Sequence, residues 1–309
     1  MITDVMKISG LSKSFGEIKA VHNISLSVHR GEMFGIVGPD GAGKTTLVRM
    51  LCGILAPSSG SATILDHDVM MNPDAVKKEI GYLSQRFSLY GDLSVDENIE
   101  FFAEINNVYA YEARREELLE FTRLAPFRDR LAEKLSGGMK QKLALACTLI
   151  HTPRIVFLDE PTTGVDPVSR RDFWKILQSL LKSGITIVMS TPYLDEAERC
   201  SRVALMNNGS IMQVDEPSKL KKLMRGEVIE IVCDRVRDAS NVLKNQSFVR
   251  EVQTFGDRLN AIVESASRDF SQIESQLKQS GVGIESWRVV SPSLENVFIS
   301  LLIKSSESL

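Results

Sequence analysis

A chain of 309 residues, 43% hydrophobic and 25% charged, is long enough for one large domain or for a large and a small one, each with a packed core. Its formal net charge of −3 gives no electrostatic footprint for nucleic acid, which would show as a basic surface, and no nucleic-acid partner is expected. The cysteines (Cys52, Cys147, Cys200, Cys233) and histidines are scattered, with no C-x-x-C pair and no zinc-type spacing, so reduced thiols are expected rather than disulfides or a metal cluster.

Strand-like alternation covers Met6 to Ser9 and Val21 to Val28, with turn residues at Ser14 to Gly16 and at Arg30-Gly31. The short apolar strand Phe34 to Val37 runs directly into a glycine-rich loop, and a helix pattern follows from Lys44 to Cys52. A strand pair around Gly60 to Leu65 is separated from the next helix by Asn72-Pro73. From Asp96 to Lys134 the spacing of Ile99, Phe102 and Ile105 predicts helix. A glycine pair, another helix, the strand Ile155 to Leu158, a helix from Pro167 to Leu181 and the strand Ile185 to Ser190 complete a β-α-β alternation. That order predicts a mostly parallel sheet covered on both faces.

A basic stretch (Lys219, Lys221, Lys222, Arg225) ending at Gly226 marks a boundary, with domains expected at 1–225 and 226–309. Beyond it the order is βαββαβ, which suits a small α+β, ferredoxin-like unit, and a last helix runs from Leu294 to Leu302. No apolar run approaches the roughly 18–20 residues needed to cross a bilayer, and the first residues lack the pattern of a signal peptide. A membrane span, if one is used, is expected from another chain.

Gly38-Pro39-Asp40-Gly41-Ala42-Gly43-Lys44-Thr45, with Thr46 after it, meets G-x-x-x-x-G-K-[ST] at every fixed position, between a strand and a helix. Glycines let the backbone wrap phosphate oxygens, and the helix start adds its positive end. Lys44 is expected on the β- and γ-phosphates and the Thr45 hydroxyl on Mg²⁺. Downstream, the apolar strand Ile155 to Leu158 ends in Asp159 and Glu160. Asp159 is expected to hold Mg²⁺, and Glu160 to act on the attacking water as a general base.

Between these two lies Leu135-Ser136-Gly137-Gly138-Met139-Lys140-Gln141. The segment resembles the signature of ABC ATPases, and loop, signature and acidic strand stand in that family's order over residues 5 to 225. The resemblance implies an α/β P-loop NTPase fold of the ABC ATPase type, with a small antiparallel β region and a helical subdomain at about 86–150. It implies a dimer, of like or unlike chains, in which Ser136, Gly137, Gly138, Met139 and Gln141 face the ATP held by the partner. It also places Phe15 against adenine (a core phenylalanine being the alternative), Gln85 on Mg²⁺ and the attacking water, and Asp166 in the D-loop that crosses the dimer interface. A separate integral membrane permease is implied, with this chain on the cytoplasmic face of the membrane. Phe87, Leu89, Tyr90 and Leu93 either line its docking groove or pack the subdomain.

Three positions depart from the family pattern. Pro192 stands where a histidine contacts the γ-phosphate, and proline offers neither a side-chain donor nor an N–H. Thr191 is expected to cap the following helix, with Pro192 at its first position. Slower hydrolysis is expected, because losing a preorganised donor costs about 10²–10³ in rate at comparable sites. Asp40 lies inside the phosphate loop, and Lys142 replaces a common arginine. The tail resembles the C-terminal domain of ABC-2-type exporter ATPases, the group of drug-resistance pumps, through Ser291-Pro292-Ser293-Leu294-Glu295-Asn296-Val297-Phe298. The function implied is an ATPase powering export of drug, lipid-like or polysaccharide substrates. The alternatives are a slow nucleotide-gated regulator, kept open by Pro192, or a soluble ABC protein acting on ribosomes or DNA.

Overall fold

The computed structural model describes residues 3–85 and 89–307. The chain divides into two compact units, one through Val214 and one from Asp215. The basic stretch from Lys219 to Arg225 therefore falls in the second unit rather than closing the first.

The first unit opens with β1 (Asp4–Phe15) and β2 (Ile18–His29), a long antiparallel hairpin, then β3 (Met33–Val37) and α1 (Lys44–Leu51). Next come β4 (Ser59–Ile64), β5 (His67–Asp68), α2 (Pro73–Glu79) and β6 (Ile80–Leu83). Three helices follow, α3 (Val95–Ile105), α4 (Glu112–Thr122) and α5 (Gly137–Leu149). Then β7 (Ile155–Asp159), α6 (Pro167–Lys182), β8 (Thr186–Thr191), the short α7 (Leu194–Ala197), β9 (Arg202–Asn207) and β10 (Ser210–Asp215) finish the unit.

Two sheets result. One is four-stranded in the order β2-β1-β4-β5, the antiparallel region expected; the other is six-stranded in the order β10-β9-β3-β8-β7-β6. Pairs β3–β8, β3–β9, β7–β8 and β6–β7 are parallel. All residues of β3, β7 and β8 are buried, as strands covered on both faces must be, and this is why their middle stretches read as apolar runs. Phe34, Ile36, Leu47, Leu51, Phe157 and Val188 lie in one core that the β1–β2 hairpin also packs. Because the strands are parallel, the loops after β3, β6, β7 and β8 gather at one edge of the sheet, where open α/β folds place ligands.

The expected helix over 96–134 is broken. Ser94 starts α3 through a capping box with Glu97, but Asn107 adopts φ +57 beyond its end and two short 3-10 turns precede α5. The apolar spacing of Ile99, Phe102 and Ile105 does not report that break; its signals are the Asn106-Asn107 pair after α3 and Pro126 in the first 3-10 turn.

The second unit contains α8 (Pro217–Lys221), β11 (Glu227–Cys233), α9 (Val236–Lys244), β12 (Val249–Phe255), β13 (Arg258–Val263), α10 (Ala266–Gln279), β14 (Ile284–Val290) and α11 (Leu294–Glu307). Its sheet order is β12-β13-β11-β14, all antiparallel, with Ile229, Ile231, Leu243, Ile273 and Leu277 in a core of its own. The arrangement is ferredoxin-like.

Candidate active site

The phosphate loop is shaped by what surrounds it. Gly43 caps α1 with φ +100, and a Cβ there would overlap the Ala20 carbonyl, so only glycine turns the chain into the helix at this point. Lys44 is 3% exposed, and its ammonium lies 2.8 Å from the Gly38 carbonyl, 3.0 Å from that of Pro39 and 3.1 Å from Glu160 Oε1. Thr45 Oγ1 donates to Asp159 Oδ1 at 3.0 Å. The loop thus delivers both side chains to the end of β7, as the two motifs together suggest.

Ser190, at the end of β8, organises the acidic pair. Its hydroxyl donates to Asp159 Oδ1 at 2.6 Å and accepts from the Glu160 N–H at 3.0 Å, while its carbonyl also accepts from Glu160 N–H at 3.1 Å. Glu160 has φ +50, a left-handed conformation costing about 1 kcal/mol or more for such a residue, and found where surroundings impose it. Its second oxygen accepts from Gln85 Nε2 at 2.9 Å. Sequence reasoning marks Ser190 only as the end of a strand. The signal available is a small polar residue closing an otherwise apolar run.

Asp159 Oδ2 is buried and has no hydrogen-bond partner, although its carboxylate adjoins the Thr45 hydroxyl. An orphaned buried carboxylate oxygen on a carboxylate that also meets a hydroxyl offers hard-oxygen donors of the kind that fit Mg²⁺.

A cavity of about 290 Å³ opens in front of these groups, walled by Asp40, Gly41, Ala42, Gly43, Lys44, Thr45, Thr46, Gln85 and Glu160. Asp40 is exposed on its rim. Phe15 is not part of the wall: it ends β1 with 49% exposure and the Lys13 ammonium lies 5.2 Å from its ring centre. The signature residues, Asp166 and Pro192 are also outside it.

Ser136 instead caps α5, its hydroxyl accepting from the Met139 N–H at 3.3 Å, and the helix tip at Ser136 and Gly137 is exposed. Gly138 is buried against Ser169 of α6, which a Cβ there would overlap. Gln141 is 2% exposed with Nε2 unpaired, so it lies on the inner side of α5 rather than at the tip with which the signature groups it. Asp166 caps α6 through the N–H groups of Val168 and Ser169, both at 3.0 Å, and bonding to Ser169 holds its carboxyl below the usual range.

The expectation for Thr191 is corrected. Thr191 is the last residue of β8 and Tyr193, not Thr191, is the cap position of α7, so Pro192 is a linker and not a first helical residue. The Thr191 hydroxyl is already committed: it accepts from the Tyr193 N–H at 3.0 Å and donates to Glu196 at 2.7 Å.

Comparison with known proteins gives the family. Residues 21–163 match the ABC transporter family, and residues 216–302 match the C-terminal domain of DrrA1-3-like ATP-binding proteins. The daunorubicin resistance ATP-binding protein DrrA2 of Streptomyces coeruleorubidus is 34% identical over 303 residues, covering 96% of this chain and 94% of that protein. This chain belongs to the ATP-binding subunits of ABC transporters. The probable multidrug ABC transporter ATP-binding protein YbhF of Escherichia coli is 49% identical to this ABC subunit over 227 residues, or 72% of the chain but only 39% of YbhF. A Nod factor export ATP-binding protein I from Rhizobium is 34% identical over 97% of both chains. Among solved structures, cbiO1 of Clostridium perfringens superposes on 70% of this ABC subunit and 90% of its own length, with a TM-score of 0.64 and 27% identity. The ATP-binding cassette MJ0796, solved as a dimer bound to ADP and Pi, matches 68% of this chain and 98% of its own, with a TM-score of 0.61 and 27% identity.

Proposed function

We propose that this ABC subunit hydrolyses ATP to drive a separate membrane permease, and that transport is outward. The observation that carries the reading is the convergence of Lys44, Thr45, Gln85 and Glu160 on one cavity, with Asp159 beneath it. Phosphate oxygens entering the cavity compete with Glu160 for the Lys44 ammonium. Once Lys44 turns to the β- and γ-phosphates, Glu160 Oε1 is released to accept a proton from water, while Gln85 keeps Oε2 oriented. Thr45, Asp159 and Gln85 would hold Mg²⁺, which when bound neutralises charge on the phosphate oxygens.

The exposed tip of α5 lies off this cavity, so the Ser136 hydroxyl and adjacent N–H groups are available to a γ-phosphate held by a second subunit. The reading is therefore a dimer with two shared sites, consistent with the dimeric MJ0796 structure. A size-exclusion measurement tests it. With Mg-ATP, Glu160→Gln shifts to a dimer, and Ser136→Ala in the same background weakens that shift; a monomer at all ATP concentrations contradicts it.

Outward transport rests on relatives named for drug resistance and Nod factor export. No helix among the described residues is long and apolar enough to cross a membrane, so the reading places the subunit against a permease on the cytoplasmic face. A cavity of about 300 Å³ lined by Ile54, Tyr82, Phe102, Asn106, Thr148 and His151 is our candidate for its docking groove. Leu89 borders a neighbouring cavity, whereas Tyr90 packs edge-on against Phe101 at 4.4 Å and Leu93 is half-buried. Phe87, expected in the same group, lies outside the described residues. A slow, nucleotide-gated regulator remains the second reading, favoured by Pro192 alone.

A further inference from the structure

Glu196 is fully buried, yet no step of the chemistry above uses it. Its Oε1 accepts from Thr162 Oγ1 at 2.5 Å, Arg170 Nε at 2.6 Å and Trp174 Nε1 at 3.5 Å, and its Oε2 accepts from Thr191 Oγ1 at 2.7 Å. The two oxygens therefore face different segments: one holds the loop after β7 together with α6, the other the end of β8. A carboxylate removed from water costs several kcal/mol unless its partners are well placed, so this geometry is demanding.

The connections close on themselves. Thr162 follows Glu160 by two residues, Thr191 follows Ser190, and Ser190 receives the Glu160 N–H on both its carbonyl and its hydroxyl. The Thr163 N–H also returns to the Glu160 carbonyl at 3.3 Å. Glu160 sits in this ring with its left-handed backbone. Pro192 lies within the same turn of chain and has no side-chain polar group to contribute.

We propose that Glu196 is a positioning residue for ATP hydrolysis: it closes the ring Glu160–Thr162–Glu196–Thr191–Ser190 and thereby fixes the Glu160 carboxylate toward the phosphate cavity. The proposal rests on the reading of Glu160 as general base. Glu196 touches neither nucleotide nor attacking water, and its effect is on where Glu160 stands. Misplacing a reacting group by about 1 Å costs on the order of 10²-fold in rate. A group that acts only on that placement changes kcat and leaves nucleotide affinity alone.

The test uses the full chain with Glu196→Gln, Thr162→Val and Thr191→Val, comparing kcat, KM, ATP affinity and thermal midpoint. Glu196→Gln is expected to lower kcat by about 10- to 100-fold, with KM and ATP affinity within about twofold of wild type. Thr162→Val and Thr191→Val leave the Glu196–Arg170 pair intact; each is expected to lower kcat in the same sense by a smaller factor, with the thermal midpoint lowered but the chain still folded at the assay temperature. They carry the test if Glu196→Gln does not fold. Wild-type kcat in these folded variants, or a fall in ATP affinity that matches the fall in kcat, overturns the proposal. If wild type turns over, Glu160→Gln does not and Glu196→Gln is unchanged, this inference fails alone. If wild type binds ATP but Glu160→Gln alters nothing, the reading of Glu160 fails and takes the inference with it.

Discussion

Lys44 and Glu160 form a 3.1 Å ion pair with almost no solvent on either side chain, so changing one leaves the other in a dry, polar cage. The two substitutions are not equivalent. Glu160→Gln leaves the Lys44 ammonium with the Gly38 and Pro39 carbonyls, and ATP binding is expected to persist. Lys44→Ala strands a buried carboxylate and is expected to lower stability by about 3–5 kcal/mol, read by denaturant unfolding, besides weakening ATP binding. Ser190→Ala removes a donor to Asp159 and an acceptor for Glu160; a loss of about 1–3 kcal/mol with reduced kcat is expected. At Pro192 the opposite sign is expected. Pro192→His restores the side-chain donor that the family pattern has at this position and should raise kcat, by at most about 10²-fold; an unchanged rate removes Pro192 as the cause of slow turnover. The phosphate loop and acidic pair are legible because their chemistry needs fixed residue types at fixed spacing. Ser190 and Glu196 are not, since each acts through partners distant in sequence, and a lone serine or glutamate carries no spacing to read.

At the scale of elements, short apolar runs mark β3, β7 and the middle of β8, because strands covered on both faces admit few polar residues. The hairpin of β9 and β10 escapes the sequence reading, although Asn208 and Gly209 take φ +45 and +75 as a two-residue hairpin turn requires and Asn-Gly is its usual sequence. The junction of α5 and α6 makes a testable demand. Gly138→Ala places a methyl against Ser169, so a loss of about 1–3 kcal/mol is expected, largely relieved by adding Ser169→Gly. Just beyond the end of the same helix, His151 donates through Nε2 to the Ile80 carbonyl at 2.9 Å, while its Nδ1 is buried and unpaired. Burial holds its pKa below the ordinary 6.5. Above pH 6.5 folded and unfolded chains both carry the neutral ring; below it the unfolded chain takes up the proton more readily, so stability falls as pH drops through this range. His151→Gln should flatten that part of the stability profile.

For the whole molecule, each unit has its own core and carries one tryptophan, Trp174 buried in the first and Trp287 stacked on Phe270 at 3.6 Å in the second. Trp174→Phe therefore leaves fluorescence reporting on the second unit, and residues 215–309 alone are expected to unfold cooperatively. The βαββαβ order is readable from its alternating strands. The unit boundary is not, because a basic stretch looks like a linker until α8 is seen to belong with the second unit. The central claim is that the cavity around Lys44 hydrolyses ATP with Glu160 as base, and steady-state ATPase of the purified chain beside Glu160→Gln tests it most directly. The account predicts Mg-dependent turnover that falls by about 10²–10⁴-fold in the variant while ATP binding is retained. Equal turnover in both proteins, with ATP bound by both, would contradict it.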